Sequence, residues 1–289
     1  MNKLRDAIGV IHPCVSSLQA SDSSYSVRIA CLVPSITELL FDLNLGDSLV
    51  ARTGFCIHPA DQVARIPKVG GTKTVNLKKL ARLAPTHVIV NMDENTKACA
   101  DQLRAFVPNV IITHPITFLD NIYLYQLLGA IFDRSNEAHC LVENLTASLE
   151  AVRYHPTNRS IAVLYLIWQD PWMTISSQTY IADVLAHVGL KSVELHDANG
   201  APSETRYPSF DWLKLDWSAV DAVMLSTEPF RFKQNDADYM QQRLIEQTGR
   251  QIPVLLVDGE MTSWYGSRAI KSLPYLDGIR TTIVQRLAV

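Results

Sequence analysis

The sequence predicts an α/β protein of two lobes with mainly parallel sheets, joined by one long backbone helix and holding a ligand cleft between the lobes. Three observations carry this. Short runs of branched apolar residues alternate with helical stretches through residues 27–116, which argues a parallel sheet. The same alternation returns over 156–289. Between them, Phe118, Ile122, Tyr125, Leu128, Ile131, Phe132, Leu141, Leu145, Leu149 and Val152 recur close to helical spacing.

That middle stretch, Thr117 to Arg153 within a 117–155 segment, is read as a helix with Thr117 and Asp120 as a capping box and Pro156 as its stop. Some 35 residues would reach roughly 50 Å, so its two ends cannot share one core. Gly129 and the polar run Asp133, Arg134, Ser135 and Asn136 leave a kinked or two-helix version open. At 289 residues and 47% hydrophobic composition the chain can bury two moderate cores. A formal charge of -3 with 19% charged residues supplies no basic field for nucleic acid.

The elements follow in order. Residues 1–26, with Ser16, Ser17, Ser21, Ser23 and Ser24, read as a flexible N-terminal arm. His12, Pro13 and Cys14 interrupt the apolar run Ala7 to Ile11 well short of a signal-peptide core, and no run reaches the length of a membrane span. The expected compartment is therefore cytoplasmic, with periplasmic as the alternative. The five cysteines, Cys14, Cys31, Cys56, Cys99 and Cys140, are scattered and imply no disulfide framework. Val27 to Val33 is a strand that stops at Pro34-Ser35. Ile36 to Leu45 is a helix whose first turn offers a cap at Ser35 or Thr37 and a natural anion or carbonyl site. Leu49 to Arg52, His87 to Val90 and Val110 to Thr113 are strands, separated by a long loop (53–75) and helices at 76–83 and 96–107. Beyond the backbone helix, Ser160 to Ile167, Asp221 to Ser226 and Pro253 to Val257 are strands. Helices run from Thr179 to Val188, from Tyr239 to Gln247 and from about Arg268 onward, and Gly189 and Gly249 are stops.

In open parallel sheets ligands bind beyond the carboxyl ends of the strands. The residues falling there are Pro34, Ser35, Thr37 and Glu38; Cys56 and His58; Asn91, Asp93, Glu94 and Asn95; Trp168, Asp170, Trp172 and Met173; Glu228; and Asp258, Trp264, Tyr265 and Arg268. Trp168 and Trp172 either stack on a flat ligand or cover a core edge. Cys56 and His58, two apart, either share a metal, with His114 as a third ligand, or are an isolated thiol and a surface imidazole. Asp170, Glu228 and Asp258 are acid/base candidates or ordinary loop carboxylates. Arg268 either grips a ligand anion or pairs with Asp258. Lys73 after Gly70-Gly71-Thr72 lacks the spacing of a phosphate loop.

The stretches ACLVPSITELLFDLNLGDSLVARTGF (30–55) and PKVGGTKTVNLKKLARLAPTHVIV (67–90), with FCIHP (55–59), IWQDPWM (167–173) and SWYG (263–266), resemble the helical-backbone substrate-binding proteins of ABC importers, nearest a cobalamin-binding subgroup. The resemblance runs from about residue 27 to the end. It implies a small-molecule ligand, a corrinoid, a tetrapyrrole such as haem or a chelated metal ion, lying between the lobes of a monomer with little hinge motion. It also implies permease docking through one acidic residue on each lobe. Here those positions fall on Lys78 and Trp212, with Asp211 adjacent. A lysine facing a transporter's arginines repels, so the permease partner does not carry over with the rest. The sequence thus supports a binding protein, acting as a carrier or sensor, and not an enzyme. A chelatase-like enzyme, using His58 with Glu228 or Asp258, and a protein-interaction module that kept the fold are the alternatives.

Overall fold

The computed structural model describes residues 4–152, 160–196 and 205–288. They form two compact units: Met1–Pro115 with Leu119–Leu145 and Tyr265–Arg268, and Ile116–Phe118 with Thr146–Trp264 and Ala269–Val289.

The first unit opens on a segment that is not loose. The Asp6 carboxylate is buried and accepts from the N–H groups of Ile8, Val10 and Ile112, while the Ala7 N–H donates to the Ile112 carbonyl. His12 Nε2 lies 3.1 Å from the same carboxylate. A short helix α1 (Val15–Ser21) follows. The serines that suggested disorder occupy this helix and the turn after it, where Asp22 accepts from Ser24.

Next come β1 (Ile29–Cys31), α2 (Pro34–Asp42), β2 (Leu49–Arg52), α3 (Ala60–Val63), α4 (Leu77–Arg82), β3 (His87–Asn91), α5 (Lys97–Leu103) and β4 (Asn109–Thr113). Pro34 sits in the first turn of α2, where a missing N–H costs nothing. Asn76 caps α4 by accepting from the Lys79 N–H, and Thr96 caps α5 by accepting from the Cys99 N–H. The four strands are parallel in the order β2-β1-β3-β4. Alternate residues Ala30, Leu32, Val88, Val90, Val110 and Ile112 pack with Leu80, Leu103 and Val107 into one core.

The backbone segment is two helices, α6 (Asp120–Phe132) and α7 (Ser135–Ala151), so the two-piece version holds for this chain. Asp133 takes a left-handed conformation at φ 58°, and the N–H groups of Asp133 and Arg134 both turn back to the Gly129 carbonyl. A Cβ on Gly129 would lie 2.6 Å from that of Ala138, so glycine is what lets α7 fold back this closely. The helix starts two residues later than the capping box at Thr117 predicts. Leu119 is the N-cap, without a side-chain bond, and the Phe118 N–H donates to the Asp183 carboxylate of the second unit, to which Phe118 belongs. Pro156, the expected stop, lies outside the described residues.

The second unit contains β5 (Ile161–Trp168), β6 (Trp172–Thr174), α8 (Tyr180–His187), β7 (Leu190–Ser192), β8 (Ser209–Phe210), β9 (Ala222–Ser226), α9 (Gln234–Thr248), β10 (Val254–Val257), α10 (Gly259–Ser263) and α11 (Ala269–Leu287). Its sheet runs β10-β9-β5-β6-β8. β9, β10 and β7 are parallel to their neighbours, whereas β6 and β8 are antiparallel. Strand β5 shares one edge between two partners, β7 along Ile161 to Val163 and β6 from Leu166 onward. Thr179 caps α8, and Gly189 and Gly249 have positive φ just past α8 and α9, as the stop signals required. No helix among the described residues is long and apolar enough to cross a membrane.

Candidate functional site

In the first unit, the loops beyond β1, β2 and β3 gather most of the residues singled out in the sequence, but several of them face inward. Thr37 is buried in α2 and donates to the Val33 carbonyl at 2.9 Å and to the Cys56 sulfur at 3.0 Å. Thr53 approaches that sulfur at 3.1 Å. Burial, outweighing the Thr37 and Thr53 hydroxyl contacts that act the other way, pushes the Cys56 thiol above its ordinary range. A fully buried, protonated thiol is a poor metal ligand. His114, the expected third ligand, sits 3.5 Å from Asp93. Among the described residues no three His, Cys, Asp or Glu side chains are grouped to hold an ion, so the metal expectation for Cys56 and His58 is not met. His58 is half-buried at the end of this loop.

The extended 55–57 stretch alternates, and with Cys56 turned in, Phe55 and Ile57 are 62% and 47% exposed. Arg52 stabilises the turn from below: its buried guanidinium donates to the carbonyls of Val63, Thr53 and Cys56.

Asn91 and Asn95 are buried fasteners of the β3 loop. Asn95 Oδ1 accepts from the Asn91 N–H, its amide donates to the carbonyls of Leu32 and Thr72, and Asn91 Oδ1 accepts from the Asp93 N–H. Between them stand Met92, 51% exposed, and Glu94, half-buried. Glu94 Oε1 accepts from the Tyr265 hydroxyl at 2.7 Å. Burial, then the Glu94 charge, raise the Tyr265 phenol well above its usual value, so it remains a donor.

Tyr265 is held by the segment that carries it. The Gly266 N–H donates to Asn121 Oδ1 at 2.7 Å and the Gly266 carbonyl accepts from Tyr125 at 2.9 Å. Gly266 has φ 83°, and a Cβ there would come within 3.1 Å of the Ser35 carbonyl oxygen. Ser35 is thus buried beneath this segment. Arg268 makes a bidentate pair with Glu38, at 2.8 and 2.9 Å, a partner other than the ligand anion or Asp258 that the sequence offers.

In the second unit, β5 and β6 form a hairpin whose turn includes Asp170, exposed and at φ 57°. The aromatic loop expected from the sequence is therefore mostly strand. Trp172 leans on Trp212 and stacks parallel to Phe232 at 6.4 Å, on the edge of the aromatic core with Trp217. It covers a core edge. Met173 is half-buried opposite Trp168 and Ser209. Trp168 is 39% exposed and meets Phe230 edge-on at 5.5 Å. Glu228 Oε2 accepts from Trp264 Nε1 at 3.0 Å. Gly259 permits this approach, since a Cβ there would strike the Glu228 backbone N at 2.7 Å. Asp258 caps α10, accepting from the Glu260 N–H, and is exposed.

Of the two positions compared with docking acids, Lys78 is exposed on α4, but Trp212 is buried beneath the Arg243 guanidinium at 4.5 Å. The side chains presented near it are Asp211, 3.7 Å from Lys214, and Leu213, strongly exposed. Phe55, Ile57, Met92 and Phe230 were not singled out by the sequence reading, although each lies just past a strand or beside a residue that was.

The family described as periplasmic binding protein matches residues 29–251. A vitamin B12-binding protein of Photorhabdus laumondii is 28% identical over 103 residues, 36% of this chain and 37% of its own length. One from Vibrio campbellii is 22% identical over 198 residues, covering 67% of this chain and 69% of the relative. Among solved structures, the periplasmic vitamin B12 binding protein BtuF of Vibrio cholerae aligns with TM-score 0.73 at 16% identity, over 89% of this chain and 98% of its own. The periplasmic heme-binding protein RhuT from Roseiflexus sp. RS-1 aligns with TM-score 0.70 at 19% identity, over 91% and 100%. At such identities the structural likeness speaks for the fold.

Proposed function

Because this chain belongs to the periplasmic binding protein family, we propose that it binds a corrinoid, another tetrapyrrole or a metal chelate through the loops at the carboxyl ends of its strands. The observation that carries this reading is the kind of surface those loops expose. Phe55, Ile57 and Met92 in one unit and Trp168 in the other stand open to solvent, with Phe230 half-covered beside Trp168. Met92 and Phe230 each stand two residues from a carboxylate held by a buried aromatic donor, Glu94 by Tyr265 and Glu228 by Trp264. Flat apolar faces with a few fixed polar atoms suit a macrocycle that is apolar on its faces and polar at its rim. The vitamin B12-binding relatives support the same class of ligand.

The ligand set has narrowed relative to the sequence expectation. Trp168, Glu94, Glu228 and Tyr265 remain, joined by Phe55, Ile57, Met92 and Phe230, whereas Thr37, Asn91, Asn95 and Asp258 serve the loops themselves. The cytosolic placement expected from the sequence gains no support from relatives described as periplasmic.

The test is a thermal-shift and absorbance titration with dicyanocobinamide, haemin and divalent cations. A ligand that binds only the native state raises its melting temperature. We expect stoichiometric binding of at least one macrocycle, weakened tenfold or more in Trp168→Ala at unchanged unfolding midpoint. No shift with any of these probes overturns the proposal.

A further inference from the structure

We propose that the first unit has a second binding site, a cleft beside its N-terminal segment that takes a short aliphatic carboxylate. This site is separate from the loops of the ligand-binding reading above and does not depend on it.

The cleft follows from how the opening residues are laid down. Asp6 and Ala7 are fastened to Ile112 near the end of β4, and the chain then descends along that strand toward its beginning at Asn109. Val10, Ile11 and Pro13 form one wall, and Val107, Pro108 and Val110 form the other. The enclosed volume of about 370 Å³ is at the small end of the range for ligand pockets, about 300–1,000 Å³. Because it opens at the amino end of β4, it lies at the edge of the sheet opposite the loops that follow the strands. The walls are aliphatic, with no aromatic ring among the lining residues, and Val10 and Ile11 are 42% and 39% exposed.

Three polar side chains interrupt that lining: His12, Arg104 and Asn109. The His12 side chain is only 4% exposed and its Nε2 lies 3.1 Å from Asp6 Oδ2. Asp6 also accepts from the N–H groups of Ile8, Val10 and Ile112, so the imidazole is held in place by a carboxylate whose own hydrogen bonding is complete. Asn109 is turned by its amide, which donates to the Thr86 carbonyl at 3.1 Å. Arg104 donates through one Nη to Asp101 at 2.6 Å, and among the described residues its Nε and second Nη make no hydrogen bond. Asp101 is also bound by the Lys97 ammonium at 2.6 Å, so two cations meet one anion and a positive charge is left over beside the cleft.

A guanidinium edge with two N–H groups to offer grips a carboxylate through paired hydrogen bonds. The aliphatic walls reward an attached hydrocarbon chain, which displaces water from the valine, isoleucine and proline faces. A bare inorganic anion would leave those walls wet, and an uncharged chain would leave the guanidinium to solvent. A short fatty acid satisfies both.

The experiment is isothermal titration of the full chain with octanoate, and with 1-octanol as the same chain without the charge. It is run on the wild-type protein, Arg104→Gln, Ile11→Asp and Trp168→Ala, with a melting curve of each to confirm folding. We expect one octanoate site with a Kd of about 0.1 mM and at least tenfold weaker binding of 1-octanol. In Arg104→Gln that preference should fall below threefold, because the walls remain and the head-group contact is lost. Ile11→Asp sets a like charge in the wall and should weaken octanoate tenfold or more, whereas Trp168→Ala, in the other unit, should leave it unchanged. Absence of octanoate binding, equal affinity for octanoate and 1-octanol, or an undiminished preference in Arg104→Gln overturns the proposal. Loss of octanoate binding in Trp168→Ala alone also overturns it, and assigns the binding to the loops of the first reading.

Discussion

His87 gives the fold a pH-dependent stability that can be worked out from its surroundings. Its ring is fully buried at the start of β3, Nδ1 lies 2.9 Å from the Thr86 hydroxyl, Nε2 has no hydrogen-bond partner among the described residues, and the Phe132 ring meets it edge-on at 5.1 Å. Burial, followed by the charge of His12, pushes the imidazole from 6.5 down to about 4. In the unfolded chain the ring takes up a proton as the pH falls below about 6.5, whereas the folded protein resists until about pH 4. The neutral ring therefore favours the native state fully above that window. The advantage shrinks as the pH drops through it and levels off below. At about 1.4 kcal/mol per pH unit the whole effect amounts to about 3 kcal/mol, of which about 2 should be lost between pH 7.5 and pH 4.5. Urea unfolding of the wild-type protein and His87→Leu at these two values isolates it, because carboxylates titrate in both. The Thr86 hydroxyl keeps its bond to the Arg28 carbonyl in the variant. The wild-type protein should lose about 2 kcal/mol more than the variant on acidification. Parallel losses would refute the argument.

Five further outcomes follow from the contacts around residues 264–268 and the aromatic hairpin. Gly266→Ala puts a Cβ against the Ser35 carbonyl at a left-handed φ, and should cost about 1–2 kcal/mol in urea unfolding. Glu38→Gln removes the carboxylate charge that pairs with the mostly buried Arg268 guanidinium and should cost about 1–3 kcal/mol. The double variant Glu38→Leu with Arg268→Met should recover part of that loss, measured in the same way. Trp172→Ala opens the aromatic core beside Trp212 and Phe232 and should lower stability by about 2–4 kcal/mol. Trp168→Ala, being at the surface, should leave the midpoint within about 0.5 kcal/mol of wild type.

The strands were legible because each is a run of branched residues that ends abruptly in a polar or proline-bearing turn; β2 occupies the same four residues, Leu49–Arg52, that the sequence indicates. The β5–β6 hairpin was not, since Trp172–Thr174 is three residues long and a proline beside it reads as a loop. The break after Phe132 was half-legible: Gly129 and the polar run marked a weak point. The close approach of Ala138, which demands the glycine, depends on tertiary packing. At the candidate site the alternation of 55–58 was visible but its direction was not. Cysteine and histidine look like the chemical face, and Phe and Ile like the core. The hydroxyls of Thr37 and Thr53 supply the buried thiol with partners, and this turns the apolar pair outward. The partner of Arg268 was hidden for a related reason, since Glu38 lies 230 positions away in the chain.

The contacts of Asp6 and Ala7 have a bearing on handling this protein. Strand β4 is the last in its sheet, and an outermost strand with open N–H and C=O groups is a template on which a second chain can assemble. Here the Ile112 N–H and carbonyl are both taken by the opening residues, just as β2 on the far side is bridged by the 67–69 turn at Arg52. Tags or truncations that pull the first ten residues away from Ile112 would strip a guard from a sticky border, and the outcome would be precipitation long before any loss of ligand affinity.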